Sequence, residues 1–163
     1  MASCFSLNAF ESHSLADQSS SALMDRVDTK YLIDAAELNQ CLAELTAEYT
    51  VLEMNGCRGM AYDTLYFDTP GRQLYLDHHN GKLNRVKVRT RHYRATGERF
   101  LEVKVKTNKL RTSKQRMVLT GAEPDARTLH HFLQEQLGLP ATRMLPALFF
   151  HYHRITLLSF FFF

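Results

Sequence analysis

The sequence has only three cysteines in 163 residues, Cys4, Cys41 and Cys57. An odd number with no C-x-x-C pair and no metal-ligand spacing argues against a disulfide framework and a zinc centre, and fits a reducing cytoplasm. No stretch approaches the roughly 18 uninterrupted apolar residues that a membrane span needs, and the first residues lack a basic segment leading into an apolar core. The expectation is a soluble, cytoplasmic chain without a membrane span. No G-x-x-x-x-G-K-[ST] loop is present, so any bound phosphate would have to be held by side chains. Internal repeats and βαβ alternation are missing as well.

Acids are scarce in one stretch above all. Residues 82–116 hold 13 lysines and arginines against two acids, Glu98 and Glu102, a local charge of +11. The rest of the chain carries −8, so the net charge of +3 conceals a strong asymmetry. Hydrophobic residues make up 45% and aromatics 11%, the composition of a folded protein the size of one domain.

Residues 1–22 are Ser-rich with scattered apolar positions (Phe5, Leu7, Phe10, Leu15) and read as a lead-in, either a weak helix or a loop. Residues 26–33 read as a short strand. Asp34 followed by Glu37 has the spacing of a capping box, and Leu38, Cys41, Leu42, Leu45 and Tyr49 recur at helical spacing, which predicts a helix over 35–49. From residue 58 onward, short runs rich in Tyr, Val, Phe and Thr predict strands over 60–68, 83–94, 99–107 and 112–120. Asp68-Thr69-Pro70-Gly71, Asn80-Gly81, Ala95-Thr96-Gly97 and Asn108 supply the turns between them. A second helix is capped by Asp125, with Leu129, Phe132, Leu133 and Leu137 as its apolar stripe and Gly138 and Pro140 as stop signals. Residues 147–158 read as a last strand. The class is α+β with an antiparallel sheet.

Side chains alternate between the faces of a strand. In Arg85-Val86-Lys87-Val88-Arg89-Thr90-Arg91 all four bases therefore share one face. Leu101-Glu102-Val103-Lys104-Val105-Lys106 repeats the pattern, Lys114, Arg116 and Val118 continue it, and Arg26, Asp28 and Lys30 share one parity. Two readings stand: a solvated basic face, or a face that binds a polyanion. Neighbouring cations repel by about 1 kcal/mol per pair in water and up to about 4 at an effective dielectric near 20, so a merely solvated face would interleave acids. Arginine, whose planar fork suits phosphate oxygens, dominates the densest strand. Nucleic acid is a candidate partner, but Phe100, Tyr93 and His92 beside the basic strands do not form the stacking pattern of a single-strand reader.

Four segments occur in an order that resembles the N-terminal half of a bacterial VTC domain. They are Asp25-Arg26-Val27-Asp28-Thr29-Lys30-Tyr31; Tyr62-Asp63-Thr64-Leu65-Tyr66-Phe67-Asp68-Thr69; His78-His79-Asn80-Gly81 with Asn84-Arg85-Val86-Lys87-Val88-Arg89-Thr90-Arg91; and Phe100-Leu101-Glu102-Val103-Lys104. The resemblance implies a triphosphate tunnel metalloenzyme, whose antiparallel strands close into a barrel lined by Arg and Lys and flanked by helices. It further implies catalytic roles for Lys30, Arg89, Arg91, Lys104, Lys114 and Arg116, and phosphate contacts from Arg85, Lys87, Lys106, Arg154 and Arg26. The activity implied is that of a polyphosphate polymerase acting on ATP and inorganic polyphosphate, with a triphosphate hydrolase or a non-catalytic polyanion or RNA binder as alternatives. A divalent metal, Mn²⁺ or Mg²⁺, is implied for the complete domain.

Asp28 stands where many members of that family have Glu. Glu102 reads equally as a structural partner of Lys104 or Lys106 and as a metal ligand, and His78-His79 and His151 with His153 read as turn or core histidines. The resemblance is spread over roughly residues 24–118, and residues 23–159 read as a partial tunnel domain. Ser159 is followed by four phenylalanines, read as the scar of a truncation or frameshift, with a genuine apolar terminus as the alternative. A half-tunnel would be inactive by itself and would associate through its open sheet edges.

Overall fold

The computed structural model describes residues 7–19, 29–109, 111–121, 123–137 and 143–160. In chain order the elements are β1 (Ser12–His13), α1 (Ala35–Leu45), β2 (Tyr49–Leu52), β3 (Met60–Asp68), α2 (Gln73–His79), β4 (Arg85–Tyr93), β5 (Arg99–Lys106), β6 (Thr112–Val118), α3 (Ala126–Leu137), β7 (Leu145–Arg154) and β8 (Leu157–Ser159). The chain divides into two compact units, residues 1–60 with 154–163, and residues 61–153. Among the described residues no helix is long and apolar enough to cross a membrane.

In the first unit the capping box forms as the spacing predicts. Asp34 accepts hydrogen bonds from the amides of Ala36 (2.8 Å) and Glu37 (2.9 Å), and Glu37 accepts one from the amide of Asp34 (3.2 Å). The helix ends at Leu45 rather than at Tyr49, because Tyr49-Thr50-Val51-Leu52, aromatic and β-branched, instead enters the sheet order β1-β2-β8. Val51 is fully buried there and packs with Phe10 and Leu42. The strand expected over 26–33 is corrected. Residues 26–28 lie outside the described residues, and 29–34 are irregular, with Tyr31 and Leu32 turned to solvent and no partner strand among the described residues to hold them.

The second unit is built on a five-stranded sheet of order β6-β5-β4-β3-β7. Its β3–β4, β4–β5 and β5–β6 ladders are all antiparallel. Four of the predicted strands match β3 to β6 to within two residues at either end. One face buries Phe67, Val88, Leu101 and Val103 against Leu129, Phe132 and Leu133 of α3. The helical residues fall at i, i+3 and i+4, so a single stripe docks, and each side chain contributes about 1.5–3 kcal/mol by leaving water. Asp125 caps this helix, accepting from the amide of Thr128 at 2.7 Å. The side chain of Leu137, with Gly138 and Pro140, lies outside the described residues.

Two features depart from the expectations. The strand expected over 147–158 is two strands: β7 stands beside β3, whereas β8 joins the small sheet, with Ile155 and Thr156 between them. The second is α2, formed where the sequence reads as a turn. Asp68, the buried last residue of β3, accepts from the amides of Thr69 (2.7 Å), Leu74 (2.9 Å) and Tyr75 (2.9 Å), so the carboxylate of a strand starts the helix. Arg72, just before α2, has φ +56°, a left-handed conformation rare outside glycine and asparagine.

Candidate polyanion-binding face

The ladder registers put the predicted bases side by side. Arg85 lies opposite Lys106, Lys87 opposite Lys104, Arg89 opposite Glu102 and Arg91 opposite Phe100. On the other side of β5, Lys104 faces Lys114 and Glu102 faces Arg116. Lys87, Lys104 and Lys114 thus form a row of three lysines across adjacent strands. Directly opposed residues have Cβ atoms about 5 Å apart, a spacing at which like charges are destabilising unless an anion lies among them.

The anion this face supplies itself is Glu102, only 1% exposed. Its Oε2 accepts from Arg89 Nε at 2.8 Å and lies 2.7 Å from Arg89 Nη2, while Oε1 is in ion-pair contact with Lys114. Burial alone would raise the Glu102 carboxyl, but the hydrogen bond from Lys114 and the Arg89 guanidinium outweigh it and hold the carboxyl below its usual range. Arg89 also donates from Nη1 to the Tyr66 hydroxyl at 3.1 Å. The partners expected for Glu102, Lys104 and Lys106, are its neighbours along the strand. The structure instead pairs it across the ladder, where Arg89 and Lys114 reach it more directly.

Arg91 is arranged differently. Its guanidinium carbon sits 5.5 Å from the Tyr62 ring centre and 6.0 Å from that of Tyr152, a cation–π contact with both. Its buried Nε has no hydrogen-bond partner, nor has the buried hydroxyl of Thr64, directly opposite on β3. Arg116 lies over the Phe100 ring at 4.7 Å. Arg85 donates to the Lys82 carbonyl at 2.9 Å, and Lys87 Nζ is 3.2 Å from His78 Nε2.

One sheet face therefore gathers Arg85, Lys87, Arg89, Arg91, Lys104, Lys106, Lys114 and Arg116. Lys30 is exposed in the irregular segment before α1, Arg154 is the exposed last residue of β7, and Arg26 lies outside the described residues. Tyr62, Tyr66 and Tyr152 belong to the same face and were not singled out in the sequence. The shared parity of Tyr62, Thr64 and Tyr66 was the available signal. The opposite face holds a separate polar group. Asp63 is 2.7 Å from His151 Nδ1, 3.4 Å from Arg94 Nη1 and 3.6 Å from His92 Nδ1, and the hydrogen bond from His151 holds its carboxyl below the usual range.

A divalent metal needs several free oxygen or nitrogen donors. Among the described residues no group of three or more His, Cys, Asp or Glu side chains could hold one, and Glu102, the acid of the basic face, has both oxygens committed to cations. This donor set does not fit a metal.

Two solved structures are similar to this chain. One is a Vibrio parahaemolyticus protein named provisionally as an adenylate cyclase, with a TM-score of 0.43 and 11% identity over 79% of this chain and 59% of that one. The other is a Hippeastrum protein named in the same provisional way as an adenylyl cyclase, for which a dominant triphosphatase activity is described. It has a TM-score of 0.46 and 12% identity over 76% of this chain and 62% of that one. The chain thus spans roughly three fifths of the length of each. No curated protein matches the sequence. The VTC domain family matches residues 25–159, which include the whole basic face and the strands that carry it, and the chain belongs to that family.

Proposed function

We propose that the basic face grips a linear chain of phosphates and that the domain acts in transferring the γ-phosphate of ATP to the end of a growing polyphosphate. One observation carries this reading: the row Lys87, Lys104 and Lys114 continues into Arg89 and Arg91 with a single carboxylate among them. A phosphate chain bound along the row replaces repulsion by charge-assisted hydrogen bonds. Transfer then requires little besides alignment and charge neutralisation. A terminal phosphate oxygen, already anionic, attacks the γ-phosphorus, the bond from that phosphorus to the β–γ bridging oxygen breaks, and ADP leaves with the electron pair. Lys87 and Lys104, directly opposed across the β4–β5 ladder, supply positive charge to stabilise the charge spread over the transferring group.

The test is incubation with ATP, with and without Mn²⁺, followed by separation of acid-insoluble polymer from free phosphate. Polymer supports the proposal. Free phosphate without polymer assigns the chain to triphosphate hydrolysis instead. If single-stranded RNA displaces polyphosphate at equal phosphate concentration and with the same salt dependence, the face is a general polyanion binder.

A further inference from the structure

Two arginines of β4 are held in opposite ways. Arg89 is fixed by the Glu102 carboxylate, which cancels its charge, and by the Tyr66 hydroxyl. Arg91 has no carboxylate partner among the described residues, and its guanidinium is bordered by aromatic rings instead. Tyr62 on β3 and Tyr152 on β7 stack with ring centres 5.3 Å apart and planes 15° from parallel, and the Arg91 guanidinium lies against both. Tyr93, opposite Tyr62 in the ladder, meets the Tyr62 ring edge-on at 5.0 Å. Phe100, opposite Arg91, meets Tyr93 edge-on at 5.5 Å. A row of four rings thus crosses β7, β3, β4 and β5, each in a geometry that aromatic pairs prefer. The Tyr152 hydroxyl makes no hydrogen bond with a described residue, so its ring is what this position contributes. On the opposite face of the same two strands the Asp63–His151 hydrogen bond, 2.7 Å long, ties β7 to β3 one residue from each of the stacked tyrosines.

A carboxylate would hold Arg91 as firmly as it holds Arg89, but would also cancel the charge that an incoming anion has to meet. A ring face attracts the cation through its quadrupole and leaves the full charge in place. A long side chain already confined to one rotamer also has less freedom to lose when it binds. We infer that Tyr62 and Tyr152 are positioning residues, whose stacked rings fix Arg91 on the basic face with its charge uncompensated. They act through Arg91 and not on the ligand. The inference rests on the proposed phosphate-binding role of that face, and deepens it by separating an arginine that holds the sheet together, Arg89, from one held ready for an anion, Arg91.

The experiment joins two measurements on the full chain, on Tyr152→Phe and on Tyr152→Leu. One is the heteronuclear NOE of the Arg91 Nε–H, a buried group identified by its loss in Arg91→Lys, with the Arg89 Nε–H as internal standard. The other is calorimetric titration with tripolyphosphate. Before any ligand is added, the Arg91 group should be as rigid as that of Arg89 in the unaltered chain and in Tyr152→Phe, which keeps the ring. In Tyr152→Leu it should become mobile while Arg89 stays rigid. Tripolyphosphate affinity should fall about fivefold in Tyr152→Leu and change by less than about twofold in Tyr152→Phe. A mobile Arg91 in the unaltered chain would overturn the inference without recourse to any variant. Equal losses of affinity in the two variants, or an unchanged affinity in Tyr152→Leu, would overturn it and leave the phosphate-binding face intact. Failure of the unaltered chain to bind tripolyphosphate would overturn both.

Discussion

Arg89 and Glu102 form a two-point pair in which Nε and Nη2 of the guanidinium converge on one carboxylate oxygen at 2.8 and 2.7 Å. The carboxylate is buried and the guanidinium mostly so, whereas Lys114, the third member, is 41% exposed. Stabilisation therefore resides chiefly in the first pair. Replacing Glu102 by Gln leaves a buried guanidinium without its counter-charge, a change that costs about 3 kcal/mol in comparable pairs. Urea unfolding of Glu102→Gln should show a loss of that order. A loss below about 1 kcal/mol would mean that the pair is as weak as an exposed one.

The same pair sets an acid limit. Because the folded protein holds the Glu102 carboxyl below its ordinary value of 4.5, the unfolded chain takes up a proton first as pH falls. Its contribution is thus complete above about pH 5 and is lost as pH drops through the lowered folded value. Asp63, depressed by His151, acts in the same direction. Melting temperature measured from pH 6 to pH 3 should fall more steeply in the unaltered chain than in Glu102→Gln. Parallel curves would show that Glu102 does not titrate as described.

Arg89 and Arg91, two residues apart on β4, should separate structure from binding. Arg91→Ala removes a cation that has no ion pair among the described residues, so its loss should weaken tripolyphosphate binding about tenfold or more with little change in melting. Arg89→Ala should lower stability before any binding effect can be read. Arg94→Ala and Arg99→Ala, on the opposite face, should alter neither binding nor its salt dependence. Calorimetric titration of the four variants decides the matter, and equal weakening by Arg91→Ala and Arg94→Ala would refute the assignment of faces.

How legible this was in the sequence depended on how local the cause was. A period of two within β4 and β5 is written in consecutive residues, so the sharing of faces by Arg85 to Arg91 could be read directly, as could the Asp34 capping box. The partners of Glu102 could not, because Arg89 and Lys114 become its neighbours only once the β4–β5 and β5–β6 registers are set. The same limit hid β2, whose pairing strand β8 lies over 100 residues away. The second helix was readable from the stripe of Leu129, Phe132 and Leu133, whereas α2 was missed because its cap is five residues upstream, on the far side of Thr69-Pro70-Gly71.

Among the described residues β6 and β7 are the edges of the large sheet, and they differ in chemistry. The first carries Lys114 and Arg116, charges that discourage pairing with another copy. The second exposes Leu148, Phe149 and Phe150, an apolar edge of the kind that recruits a further strand. Self-association, measured by light scattering across a concentration series, should therefore be reduced by Phe149→Lys and left unchanged by Lys114→Ala. The reverse pattern would place the contact on β6.

The dependence of α2 on Asp68 also bears on the order in which the chain assembles. Seven residues are too few to hold a helix by their own hydrogen bonds, since isolated helices shorter than about 12 residues are marginal in water. The nucleus is supplied from outside, by the final carboxylate of β3, and so α2 cannot precede the strand that starts it. The segment should behave as a dependent of the sheet, gaining protection when β3 is in place and losing it alone. In Asp68→Asn, hydrogen exchange at the amides of Leu74 and Tyr75 should accelerate while that of Val88 and Leu101 holds. Joint acceleration of all four would mean that Asp68 supports the whole sheet and not α2 in particular.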